Sequence, residues 1–329
     1  MDGSLGLYQS YSGTFPVSAI KNDLADPGTL IIAYGSSIIL RKTVEDSIVS
    51  DFISGLYITA GNEDGIYPQS RITAPVCMAQ PDLNNIILVE KYCLKSVHKI
   101  QLNTTTLAGS CVADSQLTSA QGGQFSTARF TELTTCALRG GSSLLFVVDK
   151  LHKVYSVALH LKVVGTSASD SQSYYNMILP TFDQTMFYTL TEDRKLISVN
   201  SLGITTHEAF KASSAVLPEL KDGTGLQAQL TALPEEVPTS YIDYYGELII
   251  TAESRGVIRV VDLATSQAPF VSSICSNLGD PSRIDGDILS CGASEINAVF
   301  MGHTTQKLYI ATEEYGVLQF NITRDLEGE

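Results

Sequence analysis

Basic residues are scarce in this chain: 21 Lys and Arg stand against 35 Asp and Glu, a formal charge of −14, with an isoelectric point near 4.7. A surface of that sign repels phosphate backbones, so no nucleic acid partner is expected. Long apolar runs are also lacking. A membrane helix needs roughly 18 to 20 consecutive apolar residues, and the best stretch, Leu30 to Leu40, is broken by Gly35, Ser36 and Ser37. Direct membrane insertion is therefore not expected. The start, Met1-Asp2-Gly3-Ser4, lacks the basic and apolar regions of a secretory leader, which fits either an intracellular protein or one whose leader has been removed. No Cys-x-x-Cys pair or Cys/His ligand spacing suggests structural zinc. No Gly-x-Ser-x-Gly, Walker loop or dinucleotide fingerprint occurs in a strand-helix context. No segment carries a sustained helical period, and tryptophan is absent altogether. What remains, 44% hydrophobic and 17% charged with 25 Gly and 11 Pro, is a globular composition that excludes disorder, collagen and coiled coil.

An internal repeat fills this composition. Six segments share an apolar run, a polar turn and a second β-rich run: Leu30 to Val44, Asn85 to Ile100, Leu144 to Val157, Met186 to Val199, Leu248 to Val260, and Leu308 to Phe320. β-Branched and aromatic residues favour a pleated surface, and the intervening polar residues supply a hairpin turn. The units recur about every 56 residues, so six of them use up the 329 residues as a single domain. Strand-built repeats of this size are blades of a β-propeller, whose four-stranded sheets bury both faces against their neighbours. The expected fold is all-β and six-bladed. Pro75 to Gln80 and Thr134 to Arg139 supply first strands, and Thr104 to Gly109 and His160 to Gly165 supply fourth strands. The last unit has too little chain for a fourth strand. Residues 4–13 are expected to complete it, because Gly6 to Gly13 resembles Gly55 to Gly61.

The segments between units carry a family resemblance. Asp64-Gly65, Ser70-Arg71-Ile72 and Pro75 precede the second hairpin, Ala128-Arg129-Phe130 the third, and Asp222-Gly223, Ala228-Gln229-Leu230 and Pro234 the fifth. These resemble the Asp-Gly, Ala-Arg-Phe, Pro connector of NHL-repeat propellers, and Asp149 to Val154 resembles a shortened form of that family's hairpin turn. The first, fourth and sixth units depart from the pattern. The resemblance implies an NHL-like six-bladed propeller with four antiparallel strands per blade; fold alone assigns no function. In such a blade the connectors and the turns between second and third strands share one face. Connectors around 109–129, 165–175, 210–239 and 273–295 are long, while turns on the other face are short, so the connector face is the expected binding face. Tyr67, Tyr92, Tyr174, Tyr175 and Tyr315, with Asp222, are the candidate contacts, because tyrosine offers large contact area with a polar tip.

The even count of six cysteines allows 15 pairings. The sequence-local one, Cys77–Cys93, Cys111–Cys136 and Cys275–Cys291, is the expectation, with six reduced thiols as the alternative. Glycosylation sequons at Asn103 and Asn321 fall at turns between third and fourth strands and favour an extracellular or cell-surface protein over a cytoplasmic one. Related six-bladed propellers include metal-dependent lyases and lactonases. Of the histidines only His303 falls near the central channel; His98, His152, His160 and His207 fall on outer strands or loops. A calcium site using Asp183, Asp243 and Asn297 is the other enzymatic option. The expected function is a monomeric, non-enzymatic protein-recognition or adhesion module without a cofactor or metal. A channel-centred hydrolase or lyase using calcium or zinc is the alternative, followed by a cytosolic scaffold or an RNA-binding domain.

Overall fold

The computed structural model is all-β and antiparallel, with no helix among the described residues. It describes residues 5–7, 17–44, 47–56, 59–73, 75–113, 121–138, 143–151, 153–166, 178–180, 186–190, 196–200, 205–210, 223–224, 240–242, 248–253, 257–263, 270–275, 296–302, 307–312 and 316–321. The chain enters with β1 (Leu5–Leu7). A first sheet is built from β2 (Val17–Asn22), β3 (Leu30–Tyr34), β4 (Ser37–Val44) and β5 (Ser47–Gly55). The second holds β6 (Gly65–Ile66), β7 (Cys77–Ala79), β8 (Asn85–Glu90), β9 (Cys93–His98) and β10 (Asn103–Gly109). The third holds β11 (Gly123–Gln124), β12 (Leu133–Leu138), β13 (Leu144–Asp149), β14 (Val154–Ala158) and β15 (Val163–Thr166). The fourth holds β16 (Leu179–Pro180), β17 (Met186–Leu190), β18 (Leu196–Asn200) and β19 (Thr205–Phe210). The fifth holds β20 (Gly223–Thr224), β21 (Ser240–Ile242), β22 (Leu248–Glu253), β23 (Val257–Asp262) and β24 (Phe270–Cys275). The sixth holds β25 (Ile296–Gly302), β26 (Lys307–Thr312) and β27 (Gly316–Asn321), with β1 beside β27.

The six repeated segments are the middle hairpins of these sheets. β8 and β9 run from Asn85↔His98 to Glu90↔Cys93 around Lys91-Tyr92, and β3 and β4 close at Tyr34↔Ser37 around Gly35-Ser36. Three sheets depart from the expected four strands, because each has a short fifth one. β6 pairs outside β10, β11 outside β15, and β20 outside β24. All three come from the connectors that carry the Gly-containing motif. Gly65, Gly123 and Gly223 have φ of 145°, 127° and 151°, a conformation that L-residues rarely adopt. The glycine lets the connector extend along the outer strand and cover an otherwise open edge.

Strand alternation shows why the sheets stack. All five residues of β3 are buried. Leu30, Ile32 and Tyr34 enter a core shared with Ala298, Phe300, Tyr309 and Val317 of the sixth sheet. Ile31 and Ala33 enter the opposite core with Met78, Ile86, Leu88 and Val97 of the second. The next core joins Ile87, Val89 and Leu94 to Leu145, Val147 and Tyr155, and a further one joins Phe146 and Val148 to Ile178 and Phe187. Connectors contribute as well. Ile72 and Phe130, from equivalent positions of the repeated motif, are 0% and 3% exposed, and each such side chain stabilises by roughly 2 to 3 kcal/mol on burial. The first strands β2, β7, β12, β16, β21 and β25 neighbour one another in that order, and β25 also lies beside β2.

The N-terminal strand supplies the last partner of the sixth sheet, through Leu5↔Phe320, Gly6↔Gln319 and Leu7↔Leu318. Deleting residues 1–13 leaves β27 as an open apolar edge, a template for association between chains. The deletion is expected to lose cooperative unfolding or to aggregate, as read by calorimetry and size-exclusion chromatography. A monomeric deletion with an unchanged melting profile would show that this pairing carries no stability.

Candidate functional site at the connector end of the sheets

Two carboxylates at equivalent places organise this end of the molecule. Glu90 closes β8 and Asp149 closes β13, and each reaches the threonine eight residues after the connector glycine, Thr73 or Thr131. The Thr73 N–H donates to Glu90 Oε1 at 2.9 Å, while the Thr131 hydroxyl donates to Asp149 Oδ2. Asp149 also accepts from Leu151 N–H at 3.0 Å, Lys153 N–H at 2.9 Å and the Tyr155 hydroxyl at 2.9 Å, so its turn is held by its own side chain. The motif arginines cap the same connectors, Arg71 Nη1 donating to the carbonyls of Pro68 and Ser70 and Arg129 Nη1 to those of Ser126 and Ala128. Lys95, 0% exposed, donates from β9 to the carbonyls of Asn62 at 2.9 Å and Arg71 at 3.1 Å and meets Asp64 Oδ1 at 3.4 Å. Asp64 in turn accepts from the Thr106 N–H at 2.7 Å and the Thr106 hydroxyl at 2.8 Å. The Asp of the Asp-Gly motif is thus a clamp between a connector and the two outer strands.

The cysteines pair differently from the sequence-local expectation. The bonds are Cys77–Cys136 and Cys93–Cys111, with Cα separations of 5.8 and 4.6 Å; they replace Cys77–Cys93 and Cys111–Cys136. Cys77 and Cys93 lie on strands separated by β8, about 9 to 10 Å apart at ordinary strand spacing, beyond disulfide reach. Cys136 lies on the first strand of its sheet, whereas Cys111 follows the fourth strand of the preceding one. Stacking places first strand against first strand, which is why Cys77 meets Cys136. The third expected pair lies outside the description, because Cys291 is not among the described residues.

Cys93–Cys111 staples the start of β9 to the connector leaving β10. Gly109, at φ 89°, pairs with Cys93, and a Cβ there would lie 2.3 Å from the Tyr92 carbonyl oxygen. Close approach and staple together fix where the connector departs. Burial pushes the Glu90 carboxyl up to about 7, against the opposing pull of Lys95 and the Thr73 hydrogen bond. Glu90, Cys93 and Cys111 place one ligand-type atom each within 4.8 Å of the others, but with both sulfurs bonded to one another the group is not a metal-ligand set.

The opposite end is locked by a buried ion pair between Lys99 and Asp23, 6% and 7% exposed at their side chains. Gln80 Nε2 and the Ala25 N–H also donate to Asp23 Oδ1. Burial pushes the Asp23 carboxyl up, but Lys99, Gln80 and Ala25 outweigh it and hold it below its usual value. Around this lock stand exposed Leu24, Leu83 and Ile100, the last 75% exposed, with Leu161 on the equivalent turn of the third sheet. A second polar feature lies on the first strands. β2, β12 and β25 each bulge, leaving Ser18, Thr134 and Asn297 as the extra residues. Ser18 Oγ and Asn297 Nδ2 are shielded and meet no hydrogen-bond partner among the described residues.

The expected contact residues do not gather on one face. Tyr92 is half-buried in the β8–β9 turn beside the staple. Tyr67 lies at the other end, where its N–H donates to the Leu102 carbonyl in the β9–β10 turn, because its connector descends along β10 before returning. Phe125 is its counterpart, its N–H donating to the Lys162 carbonyl, and is 8% exposed within the core, whereas Tyr67 is half-buried. Tyr174, Tyr175, Asp222 and Tyr315 lie outside the described residues, as do His152, His303, Asp183 and Asp243. Asn103 is half-buried at the first residue of β10, flanked by His98 and Ile66, and Asn321 ends β27. Nothing in the sequence assigns Glu90, Lys95, Asp23 and Lys99 their buried roles. The repeated threonine at 73, 131 and 231 was the signal that would have pointed to Glu90.

No family model matches the chain, and no curated protein matches it. Among the solved structures similar to it are three from Bacteroides thetaiotaomicron. The extracellular domain of a putative one-component system has a TM-score of 0.55 at 14% identity, covering 98% of this chain and 40% of that one. A structural genomics protein of unknown function has a TM-score of 0.46 at 12% identity, with 95% and 99% covered. An auxiliary nutrient-binding protein has a TM-score of 0.46 at 10% identity, with 86% and 82% covered.

Two variants test the locks. The raised Glu90 group contributes stability that is complete below its unfolded value near 4.5 and is lost as pH rises to about 7. Glu90→Gln keeps an acceptor for Thr73 and is expected to flatten that decline in urea unfolding between pH 4.5 and 8; an unaltered decline assigns it to other groups. Lys99→Met leaves Asp23 buried without its cation and is expected to cost about 3 to 5 kcal/mol in the same assay. A loss within 1 kcal/mol would show that the pair is solvated in solution.

Proposed function

We propose that the chain is a non-enzymatic recognition module of the extracellular space, built as a six-bladed NHL-like ring in which each sheet is a blade and β1 completes the sixth. The cyclic order of the first strands and the β1–β27 pairing support the ring. The equivalent geometry of the connectors at 65–73 and 123–131 supports the NHL likeness. Two disulfides favour an oxidising compartment, and the description of one neighbour as an extracellular domain agrees with it.

The observation that carries the binding reading is the Cys93–Cys111 staple. It fixes the departure of the long connector after Cys111, directly beside Tyr92, on a scaffold whose turns are held by Glu90 and Asp149. Lys91 and Lys150 from successive hairpin turns both reach Glu132, so turns and connectors form one continuous surface. Long loops on a rigid frame are where recognition concentrates, and the partner is a protein or other macromolecule. A second reading follows from Leu24, Leu83 and Ile100, an exposed apolar group at the other end of the sheets and the kind of surface that marks an interface.

Bulky glycans distinguish the two. One introduced at Val112, exposed just after the staple, is expected to abolish capture of partners from the culture medium, while one at Gln101, exposed beside Ile100, leaves capture intact. The reverse pattern would transfer recognition to the apolar end. Loss of an enzymatic activity on chelation, with both glycans silent, would replace the binding reading by a channel-centred enzyme.

A further inference from the structure

The Cys93–Cys111 bond sits in an environment that the Cys77–Cys136 bond lacks. Glu90 Oε2 lies 3.4 Å from Cys93 Sγ. That sulfur is bonded to Cys111 and carries no hydrogen, so the proton of a hydrogen bond between them belongs to the carboxyl group. Glu90 is 1% exposed and Cys93 0% exposed, so the proton is sealed from bulk water. Cys111 is half-buried and holds φ of 54°, a left-handed conformation uncommon outside glycine. The pair therefore joins a half-buried cysteine to a fully buried one, with one acid against the buried sulfur.

We propose that Cys93–Cys111 is an exchange-active disulfide in which Cys111 is the sulfur attacked by an external thiolate and Glu90 is the proton donor to the departing Cys93. The attacking thiolate forms a new S–S bond to Cys111 Sγ as the Cys93–Cys111 bond breaks. The bonding pair leaves on Cys93 Sγ, which takes the Glu90 proton and becomes a thiol, leaving Glu90 as carboxylate. The products are a mixed disulfide at Cys111 and a neutral Cys93 thiol. A second small-molecule thiolate then attacks the external sulfur of the mixed disulfide, forming the small-molecule disulfide as the bond to Cys111 breaks and Cys111 leaves as a thiolate, so the two external thiols together supply the two electrons of the net reduction. Proton donation favours exchange because a leaving sulfur departs more readily as its developing charge is quenched. The carboxyl value near 7 keeps the acid form available at neutral pH. Lys95 from β9 and Asp64 from the connector face Glu90 with opposing charge effects. Opening the bond frees the connector at its departure point, so the same chemistry loosens that loop.

Reduced glutathione is the probe, applied to the full native chain between pH 5.5 and 8.5 at constant glutathione thiolate concentration, with alkylation and peptide mapping. Cys93–Cys111 is expected to open at least tenfold faster than Cys77–Cys136, to carry the adduct on Cys111, and to slow as pH rises through about 7. Glu90→Gln, which has no acidic proton to give, is expected to lower the rate about tenfold at pH 6 and to remove the pH step. An adduct on Cys93, equal opening of the two bonds or a flat wild-type profile overturns the proposal. Should Glu90→Gln fail to fold, the wild-type adduct map and pH profile decide it alone.

Discussion

The first three sheets are apolar on both faces, and that constraint governs the rest of the structure. β3, β8 and β13 alternate their side chains between two cores, so that removing either neighbour strips one full set from burial. No sheet of this kind is stable alone, because a single covered face leaves the other in water. The requirement propagates from sheet to sheet, and the order of the first strands returns to its starting point.

Stacking settles the cores but not the edges or the connectors, and polar groups perform that second task. The connector glycine opens a backbone path along the outer strand, the motif arginine caps local carbonyls, and Lys95 with Asp64 joins the descending and returning arms. Lys95, Glu90 and Asp149 are buried, so each needs its partners, and their hydrogen bonds supply them. The cost is carried where satisfaction is incomplete: at Glu90, whose charge is disfavoured, and at Ser18 Oγ and Asn297 Nδ2, which meet no hydrogen-bond partner among the described residues.

The two ends of the sheets differ as a result. One carries a disulfide-fixed connector with half-buried Tyr92 and a carboxyl packed on sulfur. The other carries short turns pinned by the Asp23–Lys99 pair, with aliphatic side chains outside it. Rigidity is common to both, whereas the chemistry offered to a partner is not.

The sequence alone determined the strands. Period-two runs around polar turns are local, so the six middle hairpins and the Gly-containing connectors were legible residue by residue. The short fifth strands were not, since pairing with β10, β15 or β24 depends on where the connector travels in space. The cysteine partners depended on the same thing: Cys77 is nearer in sequence to Cys93, but stacking sets first strands side by side and brings it to Cys136. Tyr67 read as a loop residue on the connector face, and the descent of its connector took it to the opposite end. Local pattern specifies what each segment is, because neighbouring residues decide backbone conformation. Which segments meet is decided by how two-sided sheets bury each other, and only the tertiary structure contains that information.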